Sequence, residues 1–166
     1  MATTPEAPEQ VKAAVLPQEL LRSTVFLLKK LGEAARAESV AGYVRAGFSP
    51  YHHSVLALLA EGARETQAAI AETLGLDRSQ LVGILDELEE QSLVERRRDP
   101  NDRRRHVVTM TPDGKRTLAR QRALVKEIDA DFLAPLSPTQ RATLHDLLLR
   151  LAGYHDPRFG ASTADR

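Results

Sequence analysis

Apolar residues recur at helical spacing along almost the whole chain, broken by one stretch of β-branched residues and turn chemistry. Leu20, Leu27, Leu28, Leu31 and Ala35, widened by Leu21 and Val25, predict a long helix over residues 18–37. Gly42, Gly47 and Pro50 are expected to break the next stretch into a short helical piece and a turn. Val55, Leu56, Leu58 and Leu59 mark the core face of a second helix over residues 51–60, ending near Gly62. A short third helix (residues 66–74) and a fourth (residues 77–91) come next. Val94–Arg98 and His106–Met110 read as two strands, with Asp99-Pro100-Asn101-Asp102 as the turn between them. Thr111 with Pro112 behind it is an N-cap and first-turn proline. The long helix it opens turns Leu118, Val125, Ile128 and Phe132 inward and ends near Pro135. Ser137 and Gln140 have capping-box spacing, and Leu144, Leu147, Leu148 and Leu151 give the final helix its stripe. From about Asp156 the chain has little to bury and is expected to be disordered.

The order is helix, helix, helix-turn-helix, hairpin, helix, helix. That is a mainly α fold, a winged helix-turn-helix with a two-stranded β-wing and helices added at both ends. Its centre runs from Gln67 to Leu81. Ala71 supplies the small residue needed where two short helices cross, and Gly75 tolerates the left-handed turn. Leu81 returns an aliphatic side chain to the core, and Asp77 with Gln80 caps the second helix. Taken alone, this stretch has an ordinary αα-corner as its lesser alternative.

Charge changes the picture. The 166 residues sum to zero, yet residues 96–122 hold ten basic side chains and three acids, so the rest of the chain is acidic. A basic tract is either a solvated surface or a polyanion site. Here Arg96, Arg97 and Arg98 climb one side of the hairpin, and Arg103, Arg104 and Arg105 stand on the other. Six arginines repel one another without an anion, whereas a basic hairpin after a recognition helix can follow phosphates into the minor groove. Helix-turn-helix and arginine wing together point to double-stranded DNA. The expected contacts are Thr66, Gln67, Arg78, Ser79, Gln80, Arg96, Arg98, Asp102, Arg103, Arg104 and Arg105. Arginine can fork onto guanine and glutamine onto adenine. The acids Asp86, Glu87, Glu89 and Glu90 must then point away from phosphate.

Other classes find little support. The chain has no cysteine, so disulfides and thiolate metal sites are excluded. It lacks GxSxG, HExxH and a phosphate-binding glycine loop, and no enzyme activity or cofactor is expected. No apolar run approaches the ~18 residues of a membrane span. Residues 1–10 lack the basic and apolar blocks of a signal peptide, so a cytoplasmic location is the expectation.

Five stretches resemble the MarR family of bacterial regulators: Leu74-Gly75-Leu76-Asp77-Arg78-Ser79, Leu85-Asp86-Glu87-Leu88-Glu89, Leu93-Val94-Glu95-Arg96-Arg97, Asp99-Pro100-Asn101-Asp102-Arg103-Arg104 and Thr109-Met110-Thr111-Pro112-Asp113-Gly114. The resemblance covers roughly Leu20 to Leu151. It implies a homodimer built from the first and last helices, an inverted-repeat operator, usually repression, and release by a small ligand. It also implies that Asp102 and Arg104 shape the wing tip, with Arg104 pairing to Asp77 and reaching the minor groove. Two departures stand out, Gly83 and Glu87, where many members carry a basic residue. They leave base reading to Arg78, Ser79 and Gln80, and keep open a protein-interaction module that has lost DNA. On this reading residues 1–15 are a flexible extension and 16–48 a dimerisation helix with its connector. Residues 49–111 form the DNA-binding lobe, 112–153 the C-terminal dimerisation helices, and 154–166 a flexible tail.

His52 and His53 remain. They are read as one buried and one exposed histidine, as part of a small-molecule pocket with Tyr43, Phe48 and Tyr51, or as zinc ligands of a zinc-responsive regulator. Adjacent histidines on a helix point about 100° apart and cannot easily share one ion, so no metal is expected and an organic effector is favoured.

Overall fold

The computed structural model describes residues 15–62, 65–99 and 106–159. The chain divides into two units, one reaching Arg36 and one starting at Ala37. In the first, the helix expected over residues 18–37 is two helices, α1 (Gln18–Leu21) and the start of α2 (Thr24–Arg45). Ser23 separates them: its hydroxyl accepts the Phe26 N–H at 3.2 Å and caps α2. Leu20, Leu27, Leu28 and Leu31 are all exposed.

In the second unit α2 does not break at Gly42. A β-carbon there would lie 2.6 Å from Ile128 Cδ1, so the glycine is where the helix carrying Ile128 packs against α2 rather than a stop signal. The stop is Gly47, at φ +69°, with the Phe48 N–H reaching back to the Tyr43 carbonyl at 2.9 Å. Pro50 then opens α3 (Pro50–Gly62). The two-residue strand β1 (Glu65–Thr66) was not expected; it adds a third strand to the wing. Next come α4 (Gln67–Leu74), α5 (Arg78–Glu90), β2 (Val94–Arg98) and β3 (His106–Met110). The sheet is antiparallel with β3 central, and its register pairs Thr66 with Val107 and Arg98 with His106.

Helices α6 (Pro112–Phe132) and α7 (Pro138–His155) begin at the caps read from sequence, Thr111 and Ser137. Beyond α7, Pro157–Phe159 form a 3-10 turn that sets Arg158 over Gly75, where the sequence suggested disorder. The rest of that tail, and the extension before residue 15, lie outside the described residues.

One apolar core fixes the lobe. Val55, Leu56 and Leu59 of α3 meet Ile70 of α4, and Leu81, Leu85 and Leu88 of α5. Val94, Val108 and Leu118 close it from the sheet and α6. Burying each such side chain contributes about 1.5–3 kcal/mol, which locks α5 and the wing to one frame. Helix α7 buries none of its residues, and Leu147, Leu148 and Leu151 are exposed.

Candidate nucleic-acid interface

Helix α4 starts at Thr66, whose hydroxyl accepts the Ala69 N–H at 3.2 Å. It ends at Gly75, left-handed at φ 65°, which lets the chain turn back within two residues. Asp77 restarts it. Its Oδ1 accepts the Gln80 N–H at 2.8 Å and the Ser79 hydroxyl at 2.6 Å, while Gln80 Oε1 accepts the Asp77 N–H at 3.3 Å. The Ser79 hydroxyl, followed by the Gln80 amide, holds the Asp77 carboxyl below its ordinary range.

These bonds sort the expected base readers. Ser79 and Gln80 are committed to the cap, and a bidentate Gln80 contact to adenine would require opening the box. Arg78 is exposed, with no hydrogen bond or ion pair among the described residues. It borders a groove of about 540 Å³ lined by Thr66 of β1, by Gln67, Ala68, Ala69 and Glu72 of α4, by Val82 of α5, and by His106 at the start of β3. Backbone N–H groups at the start of α4 and the Arg78 guanidinium make this a seat for an anion. His106 was not among the sequence candidates. Its place beside α4 comes from the β1–β3 pairing, which has no hydrophobic signature.

On the wing, the Arg96 side chain is paired with α5. Its guanidinium holds Asp86 Oδ1 at 2.7 Å and Glu89 Oε2 through Nε at 2.8 Å, with a second bond from Nη2 to the same oxygen. The reason is register: the Arg96 side chain lies on the strand face turned to α5. The pairing with Arg96 lowers the Glu89 carboxyl and raises the arginine. Arg97 is exposed and pairs with Glu95 at 2.7 Å, and Arg98 is exposed without a pair among the described residues. Asp102, Arg103, Arg104 and Arg105 lie outside the described residues, as does the expected Arg104–Asp77 pair. Three of the four acids of α5 have specific partners: Asp86 and Glu89 hold Arg96, and Glu87 holds His52 Nε2 at 2.8 Å, while Glu90 is exposed.

The five expected effector residues are only partly brought together. Tyr43 and His53 stack edge to face with ring centroids 5.9 Å apart. Burial, then the Asp129 charge, raises the Tyr43 hydroxyl, and burial, then Arg122, keeps His53 below the usual histidine range. His53 Nδ1 and Gln121 Oε1 are buried without a hydrogen-bond partner. Phe48 instead lies under the Arg120 guanidinium, Tyr51 is exposed, and His52 faces α5. Among the described residues no three His, Asp or Glu side chains are grouped to hold a metal ion.

An α4-turn-α5 unit braced by an arginine-bearing sheet defines a winged helix-turn-helix protein. Residues 46–105 match the family model described as MarR family. A regulator of the MarR family from Rhodococcus sp. RHA1 is 30% identical, with a TM-score of 0.69 over 82% of this chain and 97% of that one. CouR from Rhodococcus jostii RHA1, whose structure holds p-coumaroyl-CoA, is 34% identical, with a TM-score of 0.65 over 82% of this chain and 96% of that one. A Thauera aromatica protein named for transcriptional regulation of the hcr operon is 40% identical over 105 residues, 63% of each chain, so the match spans less than two thirds of that relative. The chain belongs to the MarR family of winged helix-turn-helix transcription regulators.

Proposed function

We propose that the chain is a sequence-specific regulator of double-stranded DNA, working as a homodimer on a pseudo-palindromic operator. It represses, and a small organic ligand releases it. The observation that carries the reading is the groove: an Arg78 side chain unpaired among the described residues beside the start of α4, in a lobe where Asp86, Glu87 and Glu89 of α5 are turned onto Arg96 and His52. With Asp86, Glu87 and Glu89 engaged, Arg78 remains as a cation lining the groove, beside Glu72, and its charge suits a phosphate backbone.

Dimerisation is supported by unburied apolar faces. Leu147, Leu148 and Leu151 of α7, and separately Leu20, Leu27 and Leu31, are exposed. A second copy covering them would hold two recognition helices about one DNA turn apart. The effector site on this reading is Tyr43 and His53, where aromatic walls meet unpaired polar atoms. CouR's ligand is an aromatic acyl thioester, which supports an aromatic acid or its thioester here.

The test is selection of bound fragments from a random duplex pool, followed by anisotropy on the enriched site. An inverted repeat is expected, with affinity falling steeply with salt and weakened by Arg78→Ala. No enrichment, together with salt-insensitive binding, would sink the reading. Light scattering should give a dimer mass at micromolar concentration. No membrane partner is proposed; no described helix is long and apolar enough to cross one.

A further inference from the structure

Arg158 follows α7 in the short turn Pro157–Phe159, and its guanidinium lies on the bare backbone of Gly75. Its Nη1 stands 2.9 Å from where a β-carbon of Gly75 would sit. Apart from the chain neighbours of Gly75, nothing else among the described residues comes within 4 Å of that point. We propose that Arg158, clamped by Asp156, is a positioning residue for the helix-turn-helix: it braces the left-handed turn at Gly75 and ties the end of α7 to the recognition helix. Its consequence for binding rests on the DNA-binding reading; the brace itself does not.

The side chain is held before it reaches the turn. Its Nε donates to both Asp156 oxygens at 3.0 Å, Nη2 to Oδ2 at 2.6 Å, and its backbone N–H to Oδ1 at 3.0 Å. A planar guanidinium gripped through two of its nitrogens has little freedom left, and Nη1 is the nitrogen turned to Gly75. The bonds from Arg158 also keep the Asp156 carboxyl below the ordinary carboxylate range. The turn has a use for such a partner. Helix α4 brings no basic residue to its own last turn and places Glu72 there, at the end where the helix dipole favours a cation. Gly75, left-handed at φ 65°, is exposed, as are Asp77 and Arg78 after it. Glycine is the residue with the widest backbone freedom, and a guanidinium lying on it narrows that freedom from outside. Asp77, two residues on, caps α5, so the direction taken at Gly75 sets where the cap and Arg78 point.

The brace gives α7 a hold on α5. Asp156 continues from the last turn of α7, its N–H bonded to the Ala152 carbonyl at 2.8 Å. A displacement of α7 is thus delivered through Asp156 and Arg158 to Gly75. Leu147, Leu148 and Leu151 of α7 are the exposed face that a second copy would cover on the dimer reading, so the brace runs from that face to the recognition helix. The Asp156 carboxylate makes Arg158 a poor direct ligand for phosphate, because a DNA backbone would meet both charges.

The experiment compares the full chain with Arg158→Ala, Asp156→Ala and Arg158→Lys by two readouts. Amide hydrogen exchange reports the turn itself, through the Gly75 and Leu76 N–H groups bonded to the Glu72 and Ala71 carbonyls at 3.2 Å and 2.9 Å. Both alanine variants should exchange severalfold faster at these two amides. The pair is partly exposed, so the urea midpoint should not move. Anisotropy with a labelled duplex of mixed sequence should show both variants binding severalfold more weakly, with the salt slope of wild type. Arg158→Lys keeps a cation at the end of α4 without the fork and should recover part of both losses. Wild-type exchange at Gly75 and Leu76 in both alanine variants overturns the brace, whatever the duplex shows. Faster exchange with wild-type duplex affinity in both overturns the positioning role. Tighter binding by Asp156→Ala, with weaker binding and a lower salt slope in Arg158→Ala, would make Arg158 a direct phosphate ligand and also overturns it. If the exchange result holds while wild type binds no duplex, the brace stands and the DNA-binding reading fails.

Discussion

His52 Nε2 stands 2.8 Å from Glu87 Oε2, tying the first turn of α3 to the third turn of α5. His52 is buried, while the Glu87 side chain is 64% exposed, so the carboxylate reaches in from the surface to satisfy a ring that has no other partner. The pair is a strut between two helices of the lobe. Glu87→Ala should destabilise on the order of 1 kcal/mol, the usual consequence of leaving a buried polar atom unpaired. Urea denaturation would check it, and a midpoint equal to wild type would show that the strut contributes nothing to stability.

Arg96 and Arg98 are two residues apart on β2 and should behave oppositely. Arg96→Ala removes the tie between the wing and α5 at Asp86 and Glu89, and should lower stability by about 1 kcal/mol or less because the pair is partly exposed. Arg98→Ala should leave stability unchanged, weaken binding to every duplex, and lower the salt slope by about 1 for each phosphate it no longer neutralises. A double-mutant cycle between Arg96 and Glu89 separates the pair from its surroundings. Loss of DNA affinity with full stability in Arg96→Ala would return that residue to the DNA surface.

The same two arginines mark the limit of what the sequence reveals. Caps and turns were legible because they are local: Thr111, Ser137, Asp77 and Gly75 each perform the role their chemistry announces. Wing arginines were legible as a class but not individually: Arg96 and Arg98 share one face of β2, and how far along the strand each lies from Asp86 and Glu89 decides which one α5 holds. Gly42 misled because a packing glycine and a breaking glycine look alike until Ile128 is placed beside it. His106 was overlooked because its groove is assembled from residues some forty positions apart by a two-residue strand, too short to leave a pattern.

Two glycines should respond to alanine in opposite ways. A β-carbon on Gly114 would overlap the Leu93 carbonyl oxygen, which also accepts the Thr111 N–H at 3.1 Å. Gly114→Ala must therefore displace backbone where α6 leaves the sheet, and should destabilise by about 2 kcal/mol or more. Nothing lies within 4 Å of a β-carbon on Gly83, which is exposed in α5, so Gly83→Ala should stabilise by up to about 1 kcal/mol through helix propensity alone. Thermal melts of the two proteins should move in opposite directions; a shift in the same direction would contradict the packing described for one of them.

The last prediction concerns His53. Burial, reinforced by the Arg122 charge, keeps its imidazole below the ordinary histidine range in the folded protein, and its Nδ1 has no partner. The unfolded chain therefore binds this proton at a higher pH than the native state does. Stability contributed by the neutral ring is present above the unfolded histidine range, near pH 6.5, and is lost as pH falls through and below it. Glu89 and Asp77 also lose stabilising pairs on acidification, but only in the lower carboxylate range. His53→Phe keeps an aromatic edge against Tyr43 while removing both the titrating group and the unpaired nitrogen. Between about pH 7.5 and about pH 5.5 the wild-type melting temperature should fall, and that of His53→Phe should fall by less. Equal acid sensitivity in His53→Phe and wild type would mean that the ring is solvated in the folded protein, and that the Tyr43–His53 site is wetter than its geometry indicates.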